Sequence, residues 1–149
     1  MDDLIAFLRA RLDDDAAIAR AAAEVCGCHE PAGRWAFDDD ENDGRIVIVD
    51  DPHPEMKRKV ERRWNGSYDG LFAARHIARH DPARVLAEVD AKRRIVDECA
   101  YWIDKINKSA TDKYPYPNLA ERGEVVLPVL CLLALPYSGH PEFDDAWRP

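Results

Sequence analysis

The step Asp81-Pro82, inside "HIARHDPARVLAEVDAKRRIVD", constrains this chain more than any other feature. A residue before proline avoids the α region, so a helix arriving from Leu71 has to end by His80. The same two residues open another helix. Aspartate suits the N-cap, and proline suits the first helical position, where its missing N–H costs nothing. The chain is therefore predicted to turn a corner between two helices, 71–80 and 82–107.

The second of these carries Val85, Val89, Val96, Cys99, Ile103 and Ile106 at helical spacing, which marks one buried face. Only Lys92 interrupts it, and its stem can lie along apolar surface while its amine reaches water. A helix over 3–25 is predicted from Leu4, Leu8, Leu12, Ala19, Ala22 and Val25, with Asp2 or Asp3 as cap and dense alanine from 16 to 23. A last helix is predicted over 124–135, stopped by Pro136. Between the first two lies a β segment, 34–64: a short strand at 34–37, an acidic turn "DDDENDG", and the β-branched strand "RIVIVD" at 45–50. Residues 54–64 read either as a helix opened by Pro54-Glu55 or as a third strand. The expected fold is α+β and mostly α, with three main helices packed with a small β-hairpin or three-stranded sheet. A tail, 138–149, carries two aromatic anchors, Phe143 and Trp147.

With 149 residues the chain suits a single domain, 1–149. Its 46% hydrophobic and 34% charged residues exclude a disordered chain. The longest apolar run, "VVLPVLCLLALP", is shorter than the roughly 20 residues of a membrane span. The opening Asp2-Asp3 is not a signal peptide, so a cytoplasmic location is expected. In that compartment Cys99 and Cys131 read as small core residues rather than disulfide partners. The net charge of −8 is uneven, acidic at both ends and basic over 57–94. The mean field repels nucleic acid, and acidic ends folding over a basic middle is the simpler reading.

His76 and His80 lie four apart, hence one above the other on a helix. That spacing allows two imidazoles on one zinc ion, with His140 as a third ligand, and it equally allows an ordinary helix end. The glutamate of a His-Glu-x-x-His site is missing; Ile77 stands in its place. A helix end attracts imidazolium to its partial negative charge, so the two histidines are expected to be structural or surface residues. Cys26, Cys28 and His29 form a second ligand-rich cluster without a usual zinc spacing. "KRKVERR" followed by Trp64 and Tyr68 interleaves cations and rings, as a solvated face or a contact surface would. No phosphate loop, nucleophile elbow or paired-carboxylate motif is found.

"HIARHDPARVLAEVDAKRRIVD", "LLALPYSGHPEFDDAWRP" and the opening "MDDLIAFLRARLDDD" resemble a family of short actinobacterial and actinophage proteins classed only as a domain of unknown function. Trp35 matches the tryptophan that ends an "ATPGPW"-like segment there, although "EVCGCHEPAGRW" replaces that segment in this chain. Some relatives carry a Cys-x-x-Cys pair before the last helix; this chain has none. The resemblance implies a small α-rich fold with a variable β segment and implies no activity.

Two functions from different classes follow. The first is a non-enzymatic binding module with no cofactor, acting on a protein partner or as a homodimer and presenting Trp64, Tyr68, Trp147 and Arg148. The second is a zinc-dependent, hydrolase-like protein using His76, His80 and His140.

Overall fold

A computed structural model of the chain describes residues 1–24, 33–38, 45–50, 68–110 and 119–149. Cys26, Cys28, His29, Trp64 and the helix-or-strand question at 54–64 lie outside the described residues. The order is α1 (Asp2–Ala23), β1 (Trp35–Asp38), β2 (Arg45–Ile48), α2 (Tyr68–Arg79), α3 (Pro82–Ala110) and α4 (Leu119–Ala134). Two short 3-10 turns follow, Leu135–Tyr137 and Asp145–Trp147. The class is α+β, mostly α, with one small antiparallel sheet among the described residues. No described helix is long and apolar enough to cross a membrane.

Several boundaries differ from the sequence expectation, for local reasons. The first i→i−4 bond of α1 runs from Ile5 N–H to the Met1 carbonyl, so Asp2 and Asp3 lie in the first turn rather than at the cap. There they face the positive end of the helix dipole. Ala16, Ala19 and Ala23 are the buried alanines, whereas Ala22 is only half-buried; Val25 lies outside the described residues. Helix α2 starts three residues early because Gly70 falls in its first turn, where glycine's cost of about 1 kcal/mol is tolerated. Helix α4 starts at Leu119 instead of 124, since "LAER" consists of good helix formers and Gly123 does not break it. Strand β2 ends at Ile48, its partner being Trp35, the first residue of β1.

The chain divides into two compact units. One is Met1–Asp14 with Val89–Pro149; the other is Asp15–Glu88. In the first, buried residues come from α1 (Leu4, Leu8, Leu12), α3 (Val96, Cys99, Ile103) and α4 (Val126, Leu130, Cys131, Ala134). Gly123 of α4 lies against α3: a Cβ there would meet Ile106 Cδ1 at 3.6 Å. Ion pairs Arg9–Asp97 and Arg93–Asp13 join α1 to α3 on an exposed surface, where such pairs contribute little stability.

In the second unit the hairpin packs on α2. Phe37 pairs with Ile46 and Trp35 with Ile48; opposite residues share a face. Ile46 is fully buried with Ala74 and Ala78, and Trp35 and Phe37 pack against this group. The two alanines, four apart, present a flat helix face that lets the hairpin approach. The Arg75 guanidinium sits 5.2 Å from the Phe37 ring centroid.

Candidate functional site

The corner at Asp81 determines the geometry of the second unit. A helix N-terminus leaves its first N–H groups without helical partners, and here those from Pro82 onward are accounted for. Pro82 has none. Ala83 N–H donates to the Gly33 carbonyl at 3.0 Å, Arg84 N–H to Asp81 Oδ1 at 2.7 Å, and Val85 N–H to the Asp81 carbonyl at 3.0 Å. The other carboxylate oxygen, Oδ2, accepts the main-chain N–H of Trp35 at 3.2 Å. One aspartate therefore caps α3 and holds the start of β1 against it. Gly33 makes the approach possible, because a Cβ there would come within 3.2 Å of Ala83 N.

Beside this corner is a small, partly open cavity of about 190 Å³, lined by Asp15, Ile18, Ala19, Ala22, Trp35, His80, Pro82 and Val85. Its walls are mainly apolar, and the alanines of α1 leave the room. The indole Nε1–H of Trp35 is buried and has no hydrogen-bond partner among the described residues. Leaving a buried donor unpaired costs about 1–3 kcal/mol.

His76 and His80 lie 4.5 Å apart between ring centroids with their planes tilted by 45°, both exposed, with His80 N–H closing α2 on the His76 and Ile77 carbonyls. His140 belongs to the first unit and has other partners. Among the described residues no three His, Cys, Asp or Glu side chains come together as a metal site.

In the first unit the tail folds back on α1. The buried Phe7 ring meets Tyr137, His140, Phe143 and Trp147, the last at 4.9 Å. Arg11 lies over the same ring at 5.4 Å and donates to Asp14, to Glu142 and to His140 Nδ1. Burial would lower its pKa, but the carboxylates of Asp14 and Glu142 outweigh that and raise it. The main-chain N–H of Glu142 also donates to His140 Nδ1. Guanidinium and peptide N–H only donate, so this nitrogen is bare and the proton of the neutral ring sits on Nε2. Trp147 packs on Phe7 and Phe143, and Arg148 pairs with Asp145 and lies over Phe143.

The third feature is α4, whose residues 125–134 are all apolar. Val126, Leu130, Cys131 and Ala134 are buried. On another side Val125, Pro128 and Leu132 recur at spacings of three and four; Val125 is 62% exposed and Leu132 57%. Helices of this composition are normally covered on every side.

A model for a family of unknown function, DUF6221, matches residues 1–149. The chain belongs to this family. No curated protein and no solved structure matches it.

For this DUF6221 member, the structure sorts the residues singled out from sequence. His76 and His80 adjoin, and His80 lines the cavity. Trp147, Arg148 and His140 share the tail cluster. Tyr68 opens α2. Sequence reasoning missed Arg11 as the tail's anchor, and it missed Asp15, Ala19, Ala22 and Val85 as cavity walls. Nothing local marks them, since their partners lie far along the chain. The alanine density of α1 was the one available hint, because small residues permit close approach or leave space.

Proposed function

We propose that the protein is a small binding protein that acts through contact with other protein chains, and that its first contact is with a second copy of itself through α4. The exposed apolar stripe of Val125, Pro128 and Leu132 carries this reading. Contiguous apolar surface on a soluble chain marks an interaction site. The i, i+3, i+7 spacing lets two copies of one helix mesh about a two-fold axis, where one patch serves both partners. An antiparallel pair places the two exposed Glu124 side chains at opposite ends, which spares a like-charge contact. The buried free thiols of Cys99 and Cys131 support action in a reducing cytoplasm. The blocks at 76–97 and 132–149 support an origin in an actinobacterium or one of its phages.

Sedimentation of the full chain tests the proposal. A monomer–dimer equilibrium is expected, strengthened by salt because it screens the net charge of −8 on each copy. Leu132→Glu should abolish it while leaving the circular dichroism spectrum unchanged. A monomer at all concentrations up to 100 micromolar (about 10⁻⁴ M, at the weak end of specific association) overturns the reading.

A further inference from the structure

We propose that His76 and His80 form a two-nitrogen chelate at the end of α2 for a divalent cation of the Ni²⁺ and Cu²⁺ class. The proposal is independent of the α4 contact and involves neither His140 nor any reaction. It rests on the geometry of the two rings and on what surrounds them.

His80 N–H donates to the His76 carbonyl at 3.1 Å, so a helical turn spans the pair although α2 itself ends at Arg79. That turn sets one imidazole above the other. It does not end free, because the next residue, Asp81, caps α3 and holds the main chain of Trp35. The pair is thereby braced before an ion arrives, which lowers the ordering cost of binding. The ring centroids are 4.5 Å apart and the ring planes are tilted by 45°. Two imidazoles bound at about 2.0–2.1 Å and at a right angle have centroids roughly 4.5 Å apart, against roughly 5 Å for a tetrahedral angle. Parallel faces would keep the nitrogens apart, whereas tilted planes can meet at one ion. The spacing fits two cis positions of a square-planar or tetragonal ion, the geometry of Cu²⁺ and Ni²⁺ with nitrogen and oxygen ligands.

The surroundings leave the pair available. Both side chains are exposed, and among the described residues neither ring nitrogen has a hydrogen-bond or ion-pair partner. A neutral imidazole binds a metal through either nitrogen. The Arg75 guanidinium is drawn to the Phe37 ring, on the hairpin side. The Arg79 charge opposes a cation, and the negative end of the α2 dipole favours one. No third His, Cys, Asp or Glu joins the pair among the described residues, so water completes the coordination. This is unlike a structural zinc site closed by four protein ligands. Mg²⁺ and Ca²⁺, which take oxygen ligands, find none here.

The test is a titration of the ¹⁵N-labelled full chain with NiCl₂ at pH 7.5, where imidazole is mostly neutral. Cys26→Ser and Cys28→Ser are present throughout, because those thiols compete for the ion. Ni²⁺ is the probe because thiols reduce Cu²⁺, and its paramagnetism broadens nearby resonances. Saturable broadening centred on residues 76–80 is expected, and Mg²⁺ should shift no resonance there. His76→Gln and His80→Gln should each weaken binding at least tenfold. Glutamine is a good helix former, so the turn survives, and the unchanged remainder of the spectrum checks the fold. No saturable broadening at 76–80 up to about 1 millimolar Ni²⁺, beyond the range of specific association, overturns the proposal. Binding there that either single variant leaves intact rests on one imidazole and overturns it as well, as does an equal response to Mg²⁺.

Discussion

The carboxylate of Asp81 accepts the main-chain N–H of Trp35 at 3.2 Å across 46 residues of sequence, while its other oxygen caps α3. A capping aspartate contributes about 1 kcal/mol, and the second bond raises what this residue holds. Asp81→Ala should cost about 2 kcal/mol in chemical denaturation. Asp81→Asn keeps one oxygen and should cost about half as much. Equal stability of the alanine variant and the parent would show that neither bond contributes.

Two glycines should respond to alanine with opposite signs. At Gly123, inside α4, a Cβ would sit in ordinary contact 3.6 Å from Ile106 Cδ1. Gly123→Ala should stabilise by about 0.5–1 kcal/mol through helix propensity. At Gly33 the Cβ would press on Ala83 N at 3.2 Å, the atom that donates to Gly33's own carbonyl. Gly33→Ala should destabilise by about 1 kcal/mol or more. Melting temperatures that move in the same direction would contradict this.

Trp147 packs half-buried on Phe7. Trp147→Ala should cost about 2 kcal/mol, less than the 3–5 of a fully buried aromatic. Trp147→Phe should recover most of it. An alanine variant as stable as the parent would show that the tail is dispensable to α1.

The two donors converging on His140 Nδ1, Arg11 at 3.0 Å and Glu142 N–H at 3.2 Å, predict the Nε2–H tautomer of the neutral ring. Long-range ¹H–¹⁵N correlation spectra read this directly. A proton found on Nδ1 would mean that Arg11 is not bonded there.

Burial, with the neighbouring Glu98 charge adding to it, pushes the Cys99 thiol above its ordinary range. A raised folded-state value means that the native chain favours the protonated thiol. The associated stability is complete below the unfolded thiol's pKa of about 8.5 and is lost as pH rises through the folded value. Cys99→Ala should flatten that alkaline decline. Iodoacetamide at pH 8 should label Cys99 at least tenfold more slowly in the native than in the unfolded chain, by peptide mapping; equal rates would contradict the burial.

What sequence determined by itself was everything decided within a few residues. Proline's ring and the aspartate side chain act on their immediate neighbours, so the corner at 81–82 and the cap on Arg84 N–H were legible. Apolar spacing told that α3 has a buried face, and Val89, Val96, Cys99 and Ile103 occupy it. Periodicity says that a face is covered but not by what. It therefore could not show that Asp81's second oxygen reaches Trp35, that alanines of α1 wall a cavity with His80, or that Arg11 reaches 129 residues along the chain to His140. The apolar run of α4 left its orientation open for the same reason: with apolar residues on every side, no pattern distinguishes the covered face from the exposed one. Only packing in three dimensions decided that Leu130 lies inside and Leu132 outside, because burial depends on which neighbours arrive, and those neighbours come from distant sequence.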